Sequence, residues 1–532
     1  MLTVAAQPKY EVRAVWLTTI GGIDWPATYA HDGMGISEQK QQLCNILDKL
    51  QAIHVNTVLL QTRVRATTIY PSDLEPWDGC LSGQPGDSPG YDPLQFAIDE
   101  CHRRGMELHA WVVTLPIGKW KTYGCQRLRR RYPSMVKRID DEGYMNPESS
   151  QTAYYLAEIC EEITRRYDID GIHLDYIRYP ETWRGRKSHH FITNIVEQIH
   201  HSVKRLKPWV KMSCSPIGKF DDLSRYRSNG WNAYTRVAQD AQGWLQQGLM
   251  DQLYPMMYFA GNHFYPFAID WQEHSYGRTV VSGLGIYMLH PQERNWKIDE
   301  VERQLNVVRQ IGMGHCYFRA KFLLSNVKGV YDYIKTFDQH PALIPPMTWI
   351  QSMPPTAPTG LTVNRTQQGD NLSWNDAYCL NDSPNTLYNV YASTQSPVDI
   401  TDAANLIATR LTKTELNLRR QPDKEPLNYA VTAIDRYGNE SQPACSWTGG
   451  PLSAPVRTMM LPNDGYTLKV PHRTLFDAQL LIVTDMKGRT VLTCTNRREI
   501  FIGSLADGVY QLRSVSRKGY QHRLGNFIIK RK

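Results

Sequence analysis

The chain has 532 residues, too many for a single hydrophobic core, so about two to four domains are expected. With 41% hydrophobic and 21% charged residues, the composition is that of folded globular protein and excludes wholesale disorder. A net charge of +8 is small for this length and no nucleic-acid-reading motif accompanies it, so no nucleic-acid partner is expected. No apolar run reaches the roughly 18 residues that span a membrane. The ten cysteines are scattered, with no Cys-x-x-Cys pair and no zinc-like spacing. No phosphate loop or cofactor fingerprint is present, so neither a cofactor nor a metal is expected.

The N-terminus, Met1-Leu2-Thr3-Val4-Ala5-Ala6-Gln7, reads as the tail of an export signal without its charged start and apolar body. From Glu11 to Pro341 short apolar runs alternate with amphipathic helical patterns. Strands are predicted over 12–18, 57–63, 107–113, 171–175, 211–215, 252–258, 280–286 and 315–319. Between them one helix is predicted to begin after Ser37, with Leu43, Ile46, Leu47, Leu50 and Ile53 at helical spacing. Another has Asp92 as cap and Pro93 at its first position, and more are predicted over 148–166, 189–206, 233–247 and 299–311. Such alternation predicts an α/β fold, a (β/α)8 TIM barrel over 1–345. The loop after the third strand, 115–144, is long and basic, and loops on that face build substrate clefts.

A proline-rich passage, 341–358, then marks a linker, after which helical periodicity vanishes. Leu372-Ser373-Trp374, Tyr388-Asn389-Val390-Tyr391 and Tyr429-Ala430-Val431-Thr432-Ala433-Ile434-Asp435 alternate as in an antiparallel sandwich. In length, in Trp374 and in Tyr429, residues 346–450 resemble a fibronectin type III module. Residues 451–532 are β-rich again, with Leu481-Ile482-Val483-Thr484-Asp485-Met486-Lys487-Gly488-Arg489, then Leu505-Ala506-Asp507-Gly508-Val509-Tyr510-Gln511-Leu512 and a basic end. That layout resembles the C-terminal sorting domain of the type IX secretion system of Bacteroidetes, which implies export to the periplasm, the outer surface or the medium.

The most informative stretch is Asp170-Gly171-Ile172-His173-Leu174-Asp175-Tyr176-Ile177-Arg178-Tyr179-Pro180. Alternation puts His173 and Asp175 on one face and Ile172 and Leu174 on the other. An Asp at the carboxyl end of a barrel strand lies where barrel enzymes keep their chemistry. The competing reading is that Asp175 only pairs with Arg178 or caps the next turn. Together with Glu11-Val12-Arg13-Ala14-Val15-Trp16-Leu17-Thr18, Asp24-Trp25-Pro26, Gln61-Thr62-Arg63, Tyr70-Pro71-Ser72, Pro76-Trp77 and His109-Ala110-Trp111, this stretch resembles the glycosyl hydrolase-like 10 family. The resemblance covers most of 11–345 and implies an exported bacterial barrel related to glycoside hydrolases, some of whose relatives act on peptidoglycan glycan strands. The chain departs from the family pattern at Pro255-Met256-Met257-Tyr258, where Pro-Gln and an aromatic are common, and at Val113-Thr114-Leu115-Pro116 and Met145-Asn146-Pro147.

Glycoside hydrolysis usually needs two carboxyl groups. Asp175 is the first candidate, as nucleophile or charge stabiliser, with Arg178 expected to keep it ionised and His173 as its hydrogen-bond partner. For the second, Asp73, Glu75 and Asp221 rank equally, since the predicted ends of strands six to eight hold no Asp or Glu. If none approaches Asp175, a substrate-assisted reaction becomes attractive, in which a 2-acetamido group attacks and one carboxyl suffices. Arg63 ends the second strand, placed either to hold sugar hydroxyls or a lactyl carboxylate, or to pair internally with Asp175 or Glu75. Trp16, Trp25, Trp77, Trp111, Tyr179 and Tyr258 are candidate stacking platforms, about half of them expected in the core. His109 joins them as a candidate substrate contact, and Arg319 and Lys321 are weaker candidates. The function these residues imply is cleavage of O-glycosidic bonds in a polysaccharide or oligosaccharide; the alternative is a catalytically silent glycan-binding barrel. The β-modules are expected to do no chemistry.

Overall fold

A computed structural model describes residues 7–446, except 227, 229, 382 and 420–425, and residues 460–531, except 471–477, 486–488, 496 and 517–520. The export-like residues 1–6, the module boundary expected at 450 and the turn at 486–488 lie outside the described residues. Residues 7–446 form one compact unit, and the C-terminal residues belong to a second.

In the first unit, eight parallel strands close into a barrel. They are β1 (Arg13–Leu17), β2 (Thr57–Arg63), β3 (Glu107–Val113), β4 (Gly171–Asp175), β5 (Lys211–Cys214), β6 (Gln252–Leu253), β7 (Thr279–Leu284) and β8 (Gly314–Tyr317). Each pairs with its neighbours in chain order, and β1 pairs with β8. Ile172 and Leu174 face the surrounding helices, whereas His173 faces Trp16 and Tyr254 inside the barrel. Helices Gly33–Gln51 and Pro93–Arg103 start where Asp32 and Asp92 accept N–H bonds from Gly35 and Gln95.

Several elements differ from expectation: the first helix starts at Gly33 instead of after Ser37, and the loop expected over 115–144 holds helix Tyr123–Arg131 and three short strands. β6 stops at Leu253 instead of running over 252–258, because Pro255 has no N–H to give the ladder. The helix expected over 233–247 is two pieces, Tyr234–Val237 and Ala241–Gln246, parted at Ala238, whose φ of 53° is left-handed. Helix Tyr265–Glu273 had no predicted counterpart.

Residues 359–445 add a three-stranded and a four-stranded antiparallel sheet around Leu372, Trp374, Val390 and Val431. This sandwich docks on the strands' N-terminal ends, the barrel floor. Arg410 reaches Glu107 at 3.0 Å and Asp170 at 2.6 Å, and Arg436 reaches Asp168 at 2.7 Å. Gly105 is needed there, since a Cβ would lie 2.5 Å from the Thr409 carbonyl oxygen. Elsewhere on the floor Glu11, His315 and Asp338 come within reach of a common cation. Two guanidiniums already serve these carboxylates, Arg13 at 2.8 Å from Glu11 and Arg309 at 2.6 Å from Glu11 and 2.5 Å from Asp338.

The second unit is antiparallel. Its four-stranded sheet runs Thr490–Thr495, Ala478–Asp485, Gly508–Ser516, Gln521–Ile529, over a core that includes Leu481, Leu512 and Phe527.

Candidate active site at the barrel mouth

The barrel interior is built in layers of inward-facing side chains. Trp16 Nε1–H donates to His173 Nε2 at 3.2 Å, and His173 Nδ1 lies 3.0 Å from the Ser213 hydroxyl. Because Nε2 accepts, the ring proton sits on Nδ1 and is donated to Ser213. Burial drives the His173 pKa well down, so the imidazole stays neutral and serves as a prop. Deeper still, His109 Nε2 meets Glu107 at 3.1 Å. His109 is fully buried and supports the floor, where no substrate reaches it.

One layer above His173 lies Asp175, only 6% exposed. Its Oδ2 accepts from Trp111 Nε1 at 3.1 Å, and its Oδ1 accepts from the Ser215 hydroxyl and the Tyr176 N–H, both at 2.8 Å. Its carbonyl oxygen accepts from the Thr114 N–H at 2.9 Å, tying the ends of β3 and β4 together. Burial raises the Asp175 pKa, and the bonds from Ser215 and the nearby Arg178 charge only partly offset it. Arg178 thus favours the ionised form of Asp175, as expected, but burial outweighs it. Arg178 pairs with Glu181 at 2.7 Å, lies 4.7 Å over Tyr176, and loses to desolvation at Asp175.

Beside this carboxyl stands an aromatic wall. Tyr258 stacks on Phe318 with centroids 5.3 Å apart, and Tyr287 is edge-on to Tyr258 at 5.7 Å. Gly285 makes room, since a Cβ there would lie 3.0 Å from Tyr258. Tyr258 and Phe318 are half-buried, so each leaves ring surface open to a ligand.

The other predicted residues separate clearly. Arg63 is fully buried and holds Glu75 with two bonds, at 2.8 and 2.7 Å, while also donating to the Val113 and Thr114 carbonyls. Tyr155 adds a bond to Glu75, so this pair forms an internal brace and is not brought to Asp175. Asp73 is 82% exposed and pairs with Arg166, the last residue of helix Ser150–Arg166. That helix end leads into the start of β4, so Asp73 sits on the outer layer, away from the mouth. Asp221 accepts from the Asp222 N–H, Asn232 and Thr235, pinning its own loop. Asp24 is held by Arg319 and by the Lys321 N–H.

Among the aromatics, Trp25 is fully buried and donates to the Gln39 carbonyl at 2.8 Å, and Tyr179 is fully buried against Trp183. Neither can stack on a sugar. Trp16 is core as well, Trp77 is half-buried beside the outer core, and Trp111 acts through its N–H on Asp175. Ser215 and Phe318 were missed, although alternation from Ser213 and Cys316 points both inward. Tyr287 lies in a short 3-10 helix, Ile286–Leu289, with no such cue.

A profile of the glycosyl hydrolase-like 10 family matches residues 11–190 and 180–288. The chain belongs to this family. The matched residues include β1 to β7 and the whole 170–180 stretch with Asp175. The chain is similar to glycosyl hydrolase YngK of Bacillus subtilis (strain 168), 28% identical over 482 residues, 82% of this chain and 93% of that one. Glycosyl hydrolase DigH of Escherichia coli (strain K12) is 27% identical over 299 residues, 48% of this chain and 66% of that one. Among solved structures, the PgaB (BpsB) glycoside hydrolase domain from Bordetella bronchiseptica shares 11% identity over 62% of this chain and 99% of its own, with a TM-score of 0.44.

Proposed function

We propose that this protein is a glycoside hydrolase that cleaves O-glycosidic bonds in a polysaccharide bearing 2-acetamido sugars, with peptidoglycan glycan strands as the first substrate to test. The observation that carries this reading is a buried carboxyl at the end of β4, held by the Ser215 hydroxyl, the Trp111 indole and the Tyr176 amide, with its pKa raised. A carboxyl of this kind suits a proton donor, because a raised pKa keeps the proton available at higher pH.

Asp73, Glu75 and Asp221 are bonded elsewhere, which favours the single-carboxyl route. Asp175 gives its proton to the glycosidic oxygen as the C1–O bond breaks. The substrate's own acetamido oxygen forms the new bond to C1, making a cyclic oxazolinium. Water then opens that ring at C1 and returns a proton to Asp175. Tyr258 and Phe318 face the sugar rings beside the carboxyl.

Digestion of purified peptidoglycan, with and without stem peptides, tests the reading by mass spectrometry of wild type and Asp175→Asn. New reducing ends that vanish in the variant support it. Glycan binding without any cleavage, across a wider panel of glycans, would instead establish a catalytically silent barrel, a reading that the bonding of Asp73, Glu75 and Asp221 elsewhere fits as well.

The remaining modules fit an exported protein divided at 1–345, 346–450 and 451–532. The three- plus four-stranded sandwich supports a fibronectin type III-like module, and the antiparallel C-terminal unit supports a sorting-like domain. Fractionation of cells into cytoplasm, periplasm, surface and medium tests export, and recovery in the cytoplasm would end it.

A further inference from the structure

Charge is concentrated in one insertion at the mouth. Residues 115–145, between β3 and the helix before β4, hold eight Lys and Arg against Asp140, Asp141 and Glu142, so 8 − 3 = +5 of the chain's +8 falls here. The insertion folds as a three-stranded sheet, Pro116–Lys119, Val136–Ile139 and Glu142–Met145, crossed by helix Tyr123–Arg131. Ile117, Cys125, Leu128, Met135 and Met145 are buried and anchor it to the barrel's outer core. Lys119, Lys121, Arg127, Arg130 and Arg131 point the other way and are exposed.

A basic helix end has an ordinary explanation, because cations complement the carbonyl end of the helix dipole. That accounts for the last turn, Arg129 to Arg131, and leaves Arg127 on the helix and Lys119, Lys121, Lys137 and Arg138 on the sheet and its turn unexplained. A merely solvated face would also interleave its signs. Here only Arg138 and Lys137 approach carboxylates, each at 3.8 Å. Among the described residues no ion pair holds the other six.

The aromatic rings fix how the cations are presented. Arg129 lies 4.3 Å and Arg138 5.4 Å from the Trp120 ring centre, Arg131 5.2 Å from Tyr132, and Lys137 4.4 Å from Trp183. Rings covered this way are props for positive charge, so the face is ionic in character. Its position ties it to the mouth. Gly118 packs against Arg65, an exposed residue just past β2 whose charge bears on Tyr176, the neighbour of Asp175. Trp183, under Lys137, lies in the segment that follows β4, the strand that ends at Asp175.

We propose that the 115–145 insertion is a polyanion-binding surface that grips the acidic substituents of a polysaccharide while the same chain occupies the mouth. This rests on the glycan-hydrolase reading for its occupant, and charge complementarity beside Asp175 favours an acidic glycan over other polyanions. Binding by unpaired surface cations is long-ranged and screened by salt.

The test is direct binding by the full chain in the Asp175→Asn background, so turnover plays no part. The probes are polygalacturonate, neutral dextran, phosphatidylglycerol vesicles and duplex DNA. Polygalacturonate is expected to bind, to weaken about tenfold or more between roughly 50 and 200 mM salt, and to prefer this protein at least about tenfold over dextran. The triple variant Lys119→Ser, Lys121→Ser, Arg127→Ser is expected to lose about tenfold in affinity, with the charge-keeping triple Lys119→Arg, Lys121→Arg, Arg127→Lys retaining most of it. In the Asp175 wild-type background the serine triple should leave turnover of a short neutral oligosaccharide unchanged. Equal affinity for dextran, or an unaffected serine triple, overturns the proposal. Tighter binding to the vesicles or to DNA also overturns it, in favour of a membrane or nucleic-acid partner. If no glycan is ever cleaved but the charge-dependent binding stands, the hydrolase reading alone has failed.

Discussion

The floor and the mouth of the barrel bury carboxylates at opposite ends of the same strand and treat them oppositely. At the floor Asp170 meets His102, Arg410 and Arg436, and its pKa is held well below the usual carboxylate range. Glu107, beside Lys211 and Arg410, is lowered from 4.5 to about 2. At the mouth Asp175 meets a hydroxyl, an indole and a backbone amide, and its pKa goes up. Burial penalises the charge in all three; what differs is whether the partners are cations or neutral donors. The floor's cations favour the ionised carboxyls, whereas at the mouth burial outweighs the neutral donors and raises the Asp175 pKa. Two of the floor's cations, Arg410 and Arg436, come from the sandwich, so that module completes the barrel and is more than a spacer.

The largest effect should come from Asp175→Asn. Activity is expected to fall roughly a hundred- to ten-thousand-fold, the usual range for a lost acid–base group, measured by release of reducing ends. Stability should move the other way. A carboxyl whose folded pKa is raised costs stability once pH exceeds its unfolded value, so at neutral pH the variant's Tm should be unchanged or higher. A Tm drop of several degrees would make Asp175 a structural residue like Asp170.

Arg410→Met should cost about 3–5 kcal/mol in chemical denaturation, because it strands Glu107 and Asp170 in the floor. A loss under about 1 kcal/mol would mean that Lys211, His102 and Arg436 suffice, and that the sandwich is a dispensable neighbour.

Acid should attack the floor first. Glu107, Asp170 and Asp338 have folded pKa values below their unfolded ones, so their stabilisation is complete above the ordinary carboxylate values. It is lost as pH falls from about 4.5 towards 2, which denaturation midpoints measured across that window would follow. A flat profile there would break the contrast.

Ser215→Ala is the mildest change. Removing a bond to the ionised form should push the Asp175 pKa further up and move the alkaline limb of the pH–activity curve to higher pH. A shift to lower pH would remove Asp175 from the proton-donor role.

Much of this was legible in the residues themselves. Strand alternation placed His173 and Asp175 inside and Ile172 and Leu174 outside, because the side-chain period of two is a local property of extended chain. The same rule, applied to 211–215 and 315–319, points Ser215 and Phe318 inward. Caps at Asp92 and the Pro93 that follows were equally local. Two strand and helix ends went astray where a single residue intervened, at Pro255 and at left-handed Ala238.

The sequence by itself determined the barrel and the family and put Asp175 on the inward face at the end of β4, since periodicity and motif spacing are written along the chain. Only the tertiary structure decided which charges cancel. Arg63 lies near Asp175 in strand order but pairs with Glu75, and Arg178 turns to Glu181. Trp25 and Tyr179 have the chemistry of sugar platforms yet are sealed in the core. Arg410 stands far along the chain from Glu107 and meets it only when the sandwich docks. Ion pairing and burial depend on distances through space, and the linear order of residues does not carry those distances.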